Sequence, residues 1–321
     1  MYEPIARNSN RVLITGAAGF GGSGLALALL ERGYHVTGLD EIAPANADLL
    51  CHAFTRYADR FNYIWKNLLD IRKDDIEGHQ IVIHIAAQAD VPMGFTSPKY
   101  TTMQNVQSTV ALLEEIRRIE GIEKFLYAAS GNEIGRYKSL PIDETHSLTP
   151  HNPYSWSKAA AEMAVWSWSR TYKIPVVILS NGVVIGPNMR REIFIFKWLW
   201  NAYHSIPIVV EGGDQTRDVT YIDDVINAWL LVIEAPSDQV VGHKFQISFG
   251  KEISIKELAN MCLEITGSKV PIKFVGYRPG EQGQRECFTI EKAKRILGYS
   301  PAIPPEKAIK LTADWVKTLL K

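Results

Sequence analysis

Six short apolar runs rich in β-branched and aromatic residues recur along the first half of the chain: "RVLIT" (11–15), "YHVTGLD" (34–40), "FNYIW" (61–65), "IVIHIA" (81–86), "KFLYAA" (124–129) and "PVVILS" (175–180). A strand that is apolar at nearly every position has no wet face, so it must be covered on both sides. Helical patterns at about 20–32, 99–120 and 154–172 supply that cover. The alternation predicts an α/β fold, a Rossmann-type doubly wound parallel sheet. Ligands of such sheets bind beyond the carboxyl ends of the strands, where the strand order reverses. After "IGPNMRRE" (185–192) the elements become shorter and mixed, with a Trp-rich helix near 192–203, a strand near 207–211 and helices near 254–266 and 305–320. These predict a sheet domain over 1–186 and a smaller C-terminal α+β substrate lobe over 187–321. The amphipathic stretch "YIDDVINAWLLVIEA" (221–235) is expected to return to the first domain, which claims 214–236. The tryptophans 166, 168, 198 and 200 are read as packing residues.

A chain of 321 residues is longer than most single cores, which agrees with that division. Lys+Arg and Asp+Glu are both 35, so no net field draws in nucleic acid or an anionic membrane. An anionic ligand must instead be held by locally placed donors. No apolar run reaches the roughly 18 residues of a membrane span, and "MYEPIARNSNRVLITG" lacks the apolar stretch of a secretory leader. Cys51, Cys262 and Cys287 form no CxxC and no Cys/His cluster, and read as buried free thiols in a reducing compartment. The expectation is a cytoplasmic protein with no metal, no nucleic acid and no membrane partner.

The first run passes through Gly16, Gly19 and Gly22 into a helix opened by Phe20. Glycine at that spacing allows a tight turn and close approach of backbone to a pyrophosphate, with the free N–H groups of a helix N-terminus behind it. Asp40 ends the second strand about 20 residues on, where a carboxylate accepts from an adenosine ribose and selects NAD over NADP. Asp70 either meets the adenine edge or caps a turn. Ala86 and Ala87, before Gln88, leave room for a flat cofactor, and His84 reads as a core histidine. In "NPYSWSKAAAE" (152–162), Tyr154 and Lys158 share one helix face, about 5–6 Å apart at Cβ. That spacing fits either an ordinary surface helix or a tyrosine whose acidity a lysine tunes.

Taken together with "HIAAQADV" (84–91), Asn105 in "QNVQST", "AASGNEIG" (128–135), "GGDQTRDVTYIDDV" (212–225) and "RPGEQGQ" (278–284), the chain resembles the extended short-chain dehydrogenases/reductases. Within them it is similar to the nucleotide-sugar epimerase and dehydratase group typified by UDP-glucose 4-epimerase. The resemblance implies bound NAD, Tyr154 as the proton-exchanging tyrosine, and Lys158 as its partner and a ligand of the nicotinamide ribose. It implies Ser130, five residues before Gly135, as the catalytic hydroxyl, with Asn132 beside the substrate. A gap placed differently would put Gly131 there and match Glu133 with a family glutamate; the ungapped reading keeps Ser130. Arg217 and Arg278 match arginines that grip a nucleotide diphosphate, Glu281 matches an acid near the nucleotide ribose, and Asn105 matches a partly structural asparagine. A homodimer formed through the helices near 99–120 and 154–172 is also implied.

Departures from the family pattern bear on the reaction. Sugar-nucleotide dehydratases carry Asp-Glu directly after the catalytic hydroxyl, whereas Gly131 and Asn132 stand here. Ser180 and Val183 replace a common Arg and Asn. The expectation is an NAD-dependent epimerase inverting C4 of a nucleotide diphosphate hexose through a 4-keto sugar, with UDP-sugars favoured. The alternatives are an oxidoreductase or decarboxylase on the same scaffold, and a non-catalytic dinucleotide sensor.

Overall fold

The computed structural model describes residues 10–320 apart from 136 and 138. The strands of the large sheet are β1 (Arg11–Thr15), β2 (His35–Asp40), β3 (Phe61–Trp65), β4 (Ile81–His84), β5 (Lys124–Ser130) and β6 (Val176–Asn181), with the strand Lys244–Ile247 at one edge. Their spatial order runs from Lys244–Ile247 through β6, β5, β4, β1 and β2 to β3. β1 pairs in parallel with β2 (Val12↔Val36) and with β4 (Val12↔Ile81), so the order reverses between β1 and β4. A doubly wound sheet opens its ligand crevice at that reversal.

Two helices, Ser108–Ile116 and Pro153–Tyr172, cover one face of this sheet. Leu112, Leu113, Ile116, Ala161 and Val165 form one buried cluster with Val82, Phe125 and Tyr127. Each large side chain so buried contributes on the order of 1.5–3 kcal/mol. The helix expected near 99–120 runs unbroken over 98–116, with a π-helical turn Met103–Gln107 between Pro98–Thr102 and Ser108–Ile116. The wider turn displaces carbonyls from their usual partners. The Ser108 hydroxyl donates to the Gln104 carbonyl, and Thr109 Oγ1 donates to the Asn105 carbonyl at 2.6 Å.

The chain divides into two compact units. The first takes residues up to Ser130, Pro153–Leu179 and Trp229–Lys244; the second takes Gly131–Asn152, Ser180–Ala228 and Phe245 onward. This division differs from a boundary at 186/187 for two local reasons. Ile142 pairs its backbone with Cys287 (2.7 Å) and Thr289 (2.9 Å), which ties Gly131–Asn152 to the second unit. The returning segment is Trp229–Lys244, held where Lys124 Nζ donates to the carbonyls of Val232 (3.1 Å), Ile233 (2.7 Å) and Ala235.

The second unit holds a three-stranded sheet in which Thr216–Tyr221 lies between Glu252–Ser254 and Val183–Ile185. A parallel pair, Ile208–Glu211 with Ile272–Val275, stands apart from it. Helices Phe194–Tyr203, Ile255–Thr266 and Pro305–Thr318 pack on one another. Ser254 and Glu257 form a capping box for the second of these, and Gly267 closes it at φ +67°. The tryptophans do pack: Trp198 is buried with its Nε1 on the Val209 carbonyl (2.9 Å), Trp200 stacks on Phe196, and Trp168 donates to Glu114 (2.8 Å). The cysteines are free, but Cys51 is exposed and Cys287 half-buried, so only Cys262 fits the expected buried thiol; Cys51 opens a short surface helix. Among the described residues no helix is long and apolar enough to cross a membrane, and no group of three metal-binding side chains occurs.

The Pro153–Tyr172 helix is also fixed to the sheet edge by a buried ion pair, Lys244 Nζ to Glu162 at 2.7 and 2.9 Å. Removing one member of such a pair leaves the other charge buried and uncompensated. Lys244→Met is therefore expected to cost about 3–5 kcal/mol of unfolding free energy, measured by urea titration; a loss below about 1 kcal/mol would show the pair to be dispensable.

Candidate active site

At the β1–β4 reversal, Gly16 has φ +75°, and a Cβ there would lie 2.6 Å from the Ala86 nitrogen. A Cβ on Gly22 would lie 2.1 Å from the Gly16 carbonyl oxygen. Both glycines are thus required by contact between backbones. Phe20–Glu31 starts behind an extended Gly19 with no side-chain cap and no acidic residue in its first turn. Its free N–H groups and dipole suit an anion. The Asp40 carboxylate accepts from Ala18 N (2.9 Å) and Ile42 N (3.1 Å), which holds it at the end of β2 beside the glycine loop. Asp70 is exposed on the turn Leu68–Asp70, whose cap is Asn67, so the capping role falls to the neighbour. Ala86 is half-buried and Ala87 exposed just beyond β4. This cradle, with backbone where side chains would obstruct and a fixed carboxylate at β2, fits a dinucleotide.

Tyr154 is the second residue of its helix and is buried. Gly94, in the helix Val91–Thr96, lies against its backbone: a Cβ on Gly94 would sit 3.0 Å from both Tyr154 Cβ and N. One turn later, Lys158 Nζ donates to the Ala128 carbonyl (2.7 Å) and to the Tyr127 hydroxyl (2.8 Å), 4.3 Å from that ring's centre. Ala128 lies two residues before Ser130 on β5, so the structure brings Lys158 to the strand end that carries Ser130. Asn105, within the π turn, donates to Ser157 Oγ (2.8 Å) and the Gln88 carbonyl (3.0 Å) and accepts from Gln88 N (2.7 Å). Ser157 Oγ in turn donates to the Tyr154 carbonyl at 2.7 Å. His84 is a core histidine as expected, with its ring nitrogens on Thr15 Oγ1 (2.8 Å) and Thr109 Oγ1 (2.9 Å). Burial, aided by the charge on Lys158, lowers its pKa to about 3, so the imidazole is neutral.

The second unit collects the residues expected to meet a nucleotide. Arg217 is buried and pairs with Glu281 (3.2 Å) and Glu286 (3.7 Å), while Arg278 pairs with Glu211 and lies 3.9 Å from Glu281. Burial holds the Glu286 carboxyl above the usual range, against the pull of Arg217. Glu211 and Glu286 escape a reading by sequence, because each meets its arginine only through folding. Asn132 lies half-buried on the short turn Gly131–Ile134. A Cβ on Gly131 would lie 2.3 Å from Phe288 Cζ. Phe288 is itself buried, and its N–H donates to Asp218 (3.1 Å). No acidic side chain fits at 131 while Phe288 keeps its place.

The sequence profile described as the NAD dependent epimerase/dehydratase family matches residues 12–248. The dTDP-D-glucose 4,6-dehydratase of Mus musculus is 30% identical over 323 residues, covering 96% of this chain and 89% of its own. The UDP-glucose 4-epimerase of Mycolicibacterium smegmatis is 28% identical over 319 residues, covering 96% and 98%. Among solved structures, the UDP-glucuronic acid 4-epimerase of Bacillus cereus in complex with UDP-glucuronic acid and NAD superposes with a TM-score of 0.86 at 28% identity, covering 96% of this chain and 99% of that one.

Asp218 anchors the second unit: beyond Phe288 it accepts from Gly250 N at 3.2 Å. Burial outweighs these bonds and raises its pKa from 3.8 to about 6. The folded state therefore holds this proton more tightly than the unfolded chain. The stability so gained is full below pH 3.8 and is lost as pH rises through about 6, a swing on the order of 3 kcal/mol. Carboxyl NMR should give Asp218 a titration midpoint near 6; a midpoint at or below the ordinary value would refute the burial argument.

Proposed function

Because the chain belongs to the NAD dependent epimerase/dehydratase family, we propose that it is an NAD-dependent nucleotide-sugar epimerase that inverts C4 of a UDP-hexose. The observation that carries this reading over 4,6-dehydration is the closure of position 131 by Phe288. Expelling water from C6 calls for an acid directly after the catalytic hydroxyl, and that place holds glycine with the Phe288 ring packed against it. The retained pair Tyr154–Lys158, on a helix fixed by Asn105 and by Glu162, speaks against a non-catalytic sensor.

In this reading Tyr154 is the base. A free phenol has a pKa of about 10. Lowering it by about three units asks roughly 4 kcal/mol of the ammonium on Lys158 and the positive ring of the cofactor, which is reasonable away from bulk water. Bound at the Gly16–Gly22 cradle, with Asp40 and Asp70 at the adenosine end and Ala86, Ala87, Gln88 and Asn105 along its length, NAD supplies the hydride acceptor and donor. Tyr154 takes the C4 hydroxyl proton, and Ser130 holds or relays it. Oxidation at C4, rotation of the keto-sugar and reduction from its other face invert the centre. Arg217 and Arg278 are assigned to the diphosphate, for which guanidinium donors are matched. Glu281 is assigned to the nucleotide ribose and Asn132 to the sugar.

A homodimer is part of the proposal. Trp156 and Met163 are 49% and 65% exposed on the Pro153–Tyr172 helix, with Tyr172, Met93 and Phe95 exposed nearby in sequence or on a packed helix, an apolar surface that a partner would cover. The free cysteines support a reducing, cytoplasmic setting.

Purified protein given NAD and UDP-glucose, UDP-galactose or UDP-glucuronic acid is expected to interconvert one C4 pair without net accumulation of reduced cofactor. Tyr154→Phe should lower kcat by about 10²–10⁴ while NAD still binds. If no C4 pair is interconverted, or reduced cofactor builds up stoichiometrically, the assignment fails. Light scattering at micromolar protein should return twice the 36.0 kDa of the chain, and a mass of one chain would discard the dimer.

A further inference from the structure

We infer that Tyr127 is a positioning residue for the proton-transfer pair: its phenol fixes the ammonium of Lys158 at the end of β5 and so sets the acidity of Tyr154. The inference rests on the reading of Tyr154 and Lys158 given above and adds a residue to it.

Strand alternation turns Phe125, Tyr127 and Ala129 toward the cluster that the Pro153–Tyr172 helix covers. Tyr127 is among the largest fully buried side chains of the chain. Phenylalanine would fill the same volume, and a hydroxyl in such a place is costly unless it is hydrogen-bonded. The hydroxyl meets Lys158 Nζ at 2.8 Å, and the same ammonium meets the Ala128 carbonyl at 2.7 Å. Two consecutive residues of one rigid strand therefore hold the tip of a side chain that would otherwise sample many rotamers. Both acceptors are neutral. Neither cancels the charge of the ammonium, and together they hold it one helical turn from the phenol of Tyr154.

The charged and titratable groups of the surrounding elements leave this arrangement undisturbed. His84 on β4, with its ring 5.7 Å from that of Tyr127, is neutral and bonded to two threonines. Glu162, the next turn of the Lys158 helix, is engaged by Lys244. Asp90 caps the Val91–Thr96 helix through Met93 N, and Lys99 and Tyr100 on the Pro98–Thr102 helix are exposed. On Ser108–Ile116, Glu114 is held by Arg117 and Trp168, and Glu115 by Arg118.

The test is optical and needs no sugar turnover, so it stands apart from the success of the epimerase assignment. In NAD-loaded protein the phenolate absorbance of Tyr154 is titrated as the difference between each enzyme and its Tyr154→Phe counterpart, for the parent and for Tyr127→Phe. The parent midpoint should lie below that of an ordinary phenol, and Tyr127→Phe should raise it by about half to one pH unit. That shift corresponds to a phenolate fraction about 3- to 10-fold lower at pH values below the midpoint. Tyr127→Met, which removes ring and hydroxyl together, should shift it at least as far in the same direction. An ordinary midpoint in the parent overturns the inference. So does a midpoint that neither variant moves, even if the variants lose thermal stability, since a packing role would act on stability alone.

Discussion

The site depends on a contact between backbones where the sheet reverses its order. The Thr15 carbonyl accepts from both Ile85 N (3.2 Å) and Ala86 N (3.0 Å), stitching the loop after β1 to the loop after β4. Gly16 can take part only because it has no Cβ. From this stitch a chain of hydrogen bonds runs outward. Asp40 ties β2 to the glycine loop through Ala18 N, and Asn105 ties Gln88 to Ser157 and so to the backbone of Tyr154. The loops that would cradle the cofactor and the helix that carries Tyr154 are thus members of one network. Such coupling matters because a misplacement of about 1 Å in a reacting group can cost on the order of a hundredfold in rate.

Buried charges in the first unit are handled in different ways. Lys124 spends its ammonium on three carbonyls at the end of a helix, and Lys244 is neutralised by Glu162. Lys158 has a carbonyl and a phenol among its partners. A carboxylate in their place would satisfy the ammonium equally well, but would oppose the stabilisation of a phenolate nearby.

The six apolar runs were legible from their β-branched and aromatic composition: β1 and β3 coincide with "RVLIT" and "FNYIW" residue for residue, although β3, at the sheet edge, is buried only at Phe61 and exposes Asn62 and Trp65. Thr216–Tyr221 was visible only as part of a motif, since Thr216, Arg217, Asp218 and Thr220 look like loop residues. Arg217 and Asp218 are buried there beside remote partners, Glu286 and Gly250 among them, and such pairings across tens of residues leave no local pattern. The π turn was hidden for another reason, because "MQNVQ" continues a helical pattern and only three-dimensional packing reveals the wider turn. Tyr154 and Lys158 stood out by their spacing, and the glycines by their position between strand and helix. Tyr127 did not, being one aromatic residue in an apolar run. The absence of an acid at 131 could be read from sequence, whereas the ring that fills its place could not.

The arginine cluster of the second unit has a consequence for how a ligand arrives. Arg217 and Arg278 share their surroundings with Glu211, Glu281 and Glu286, so these five side chains carry no excess positive charge. A phosphate that reaches the guanidinium groups competes with tethered carboxylates, which cannot diffuse away as free counter-ions do. Capture becomes an exchange of partners rather than attraction from a distance, with little of the long-range steering that accelerates charged encounters. Mobile salt screens pairs already in van der Waals range far less than separated charges. In the proposed reading, selectivity at this cluster comes from outcompeting built-in rivals.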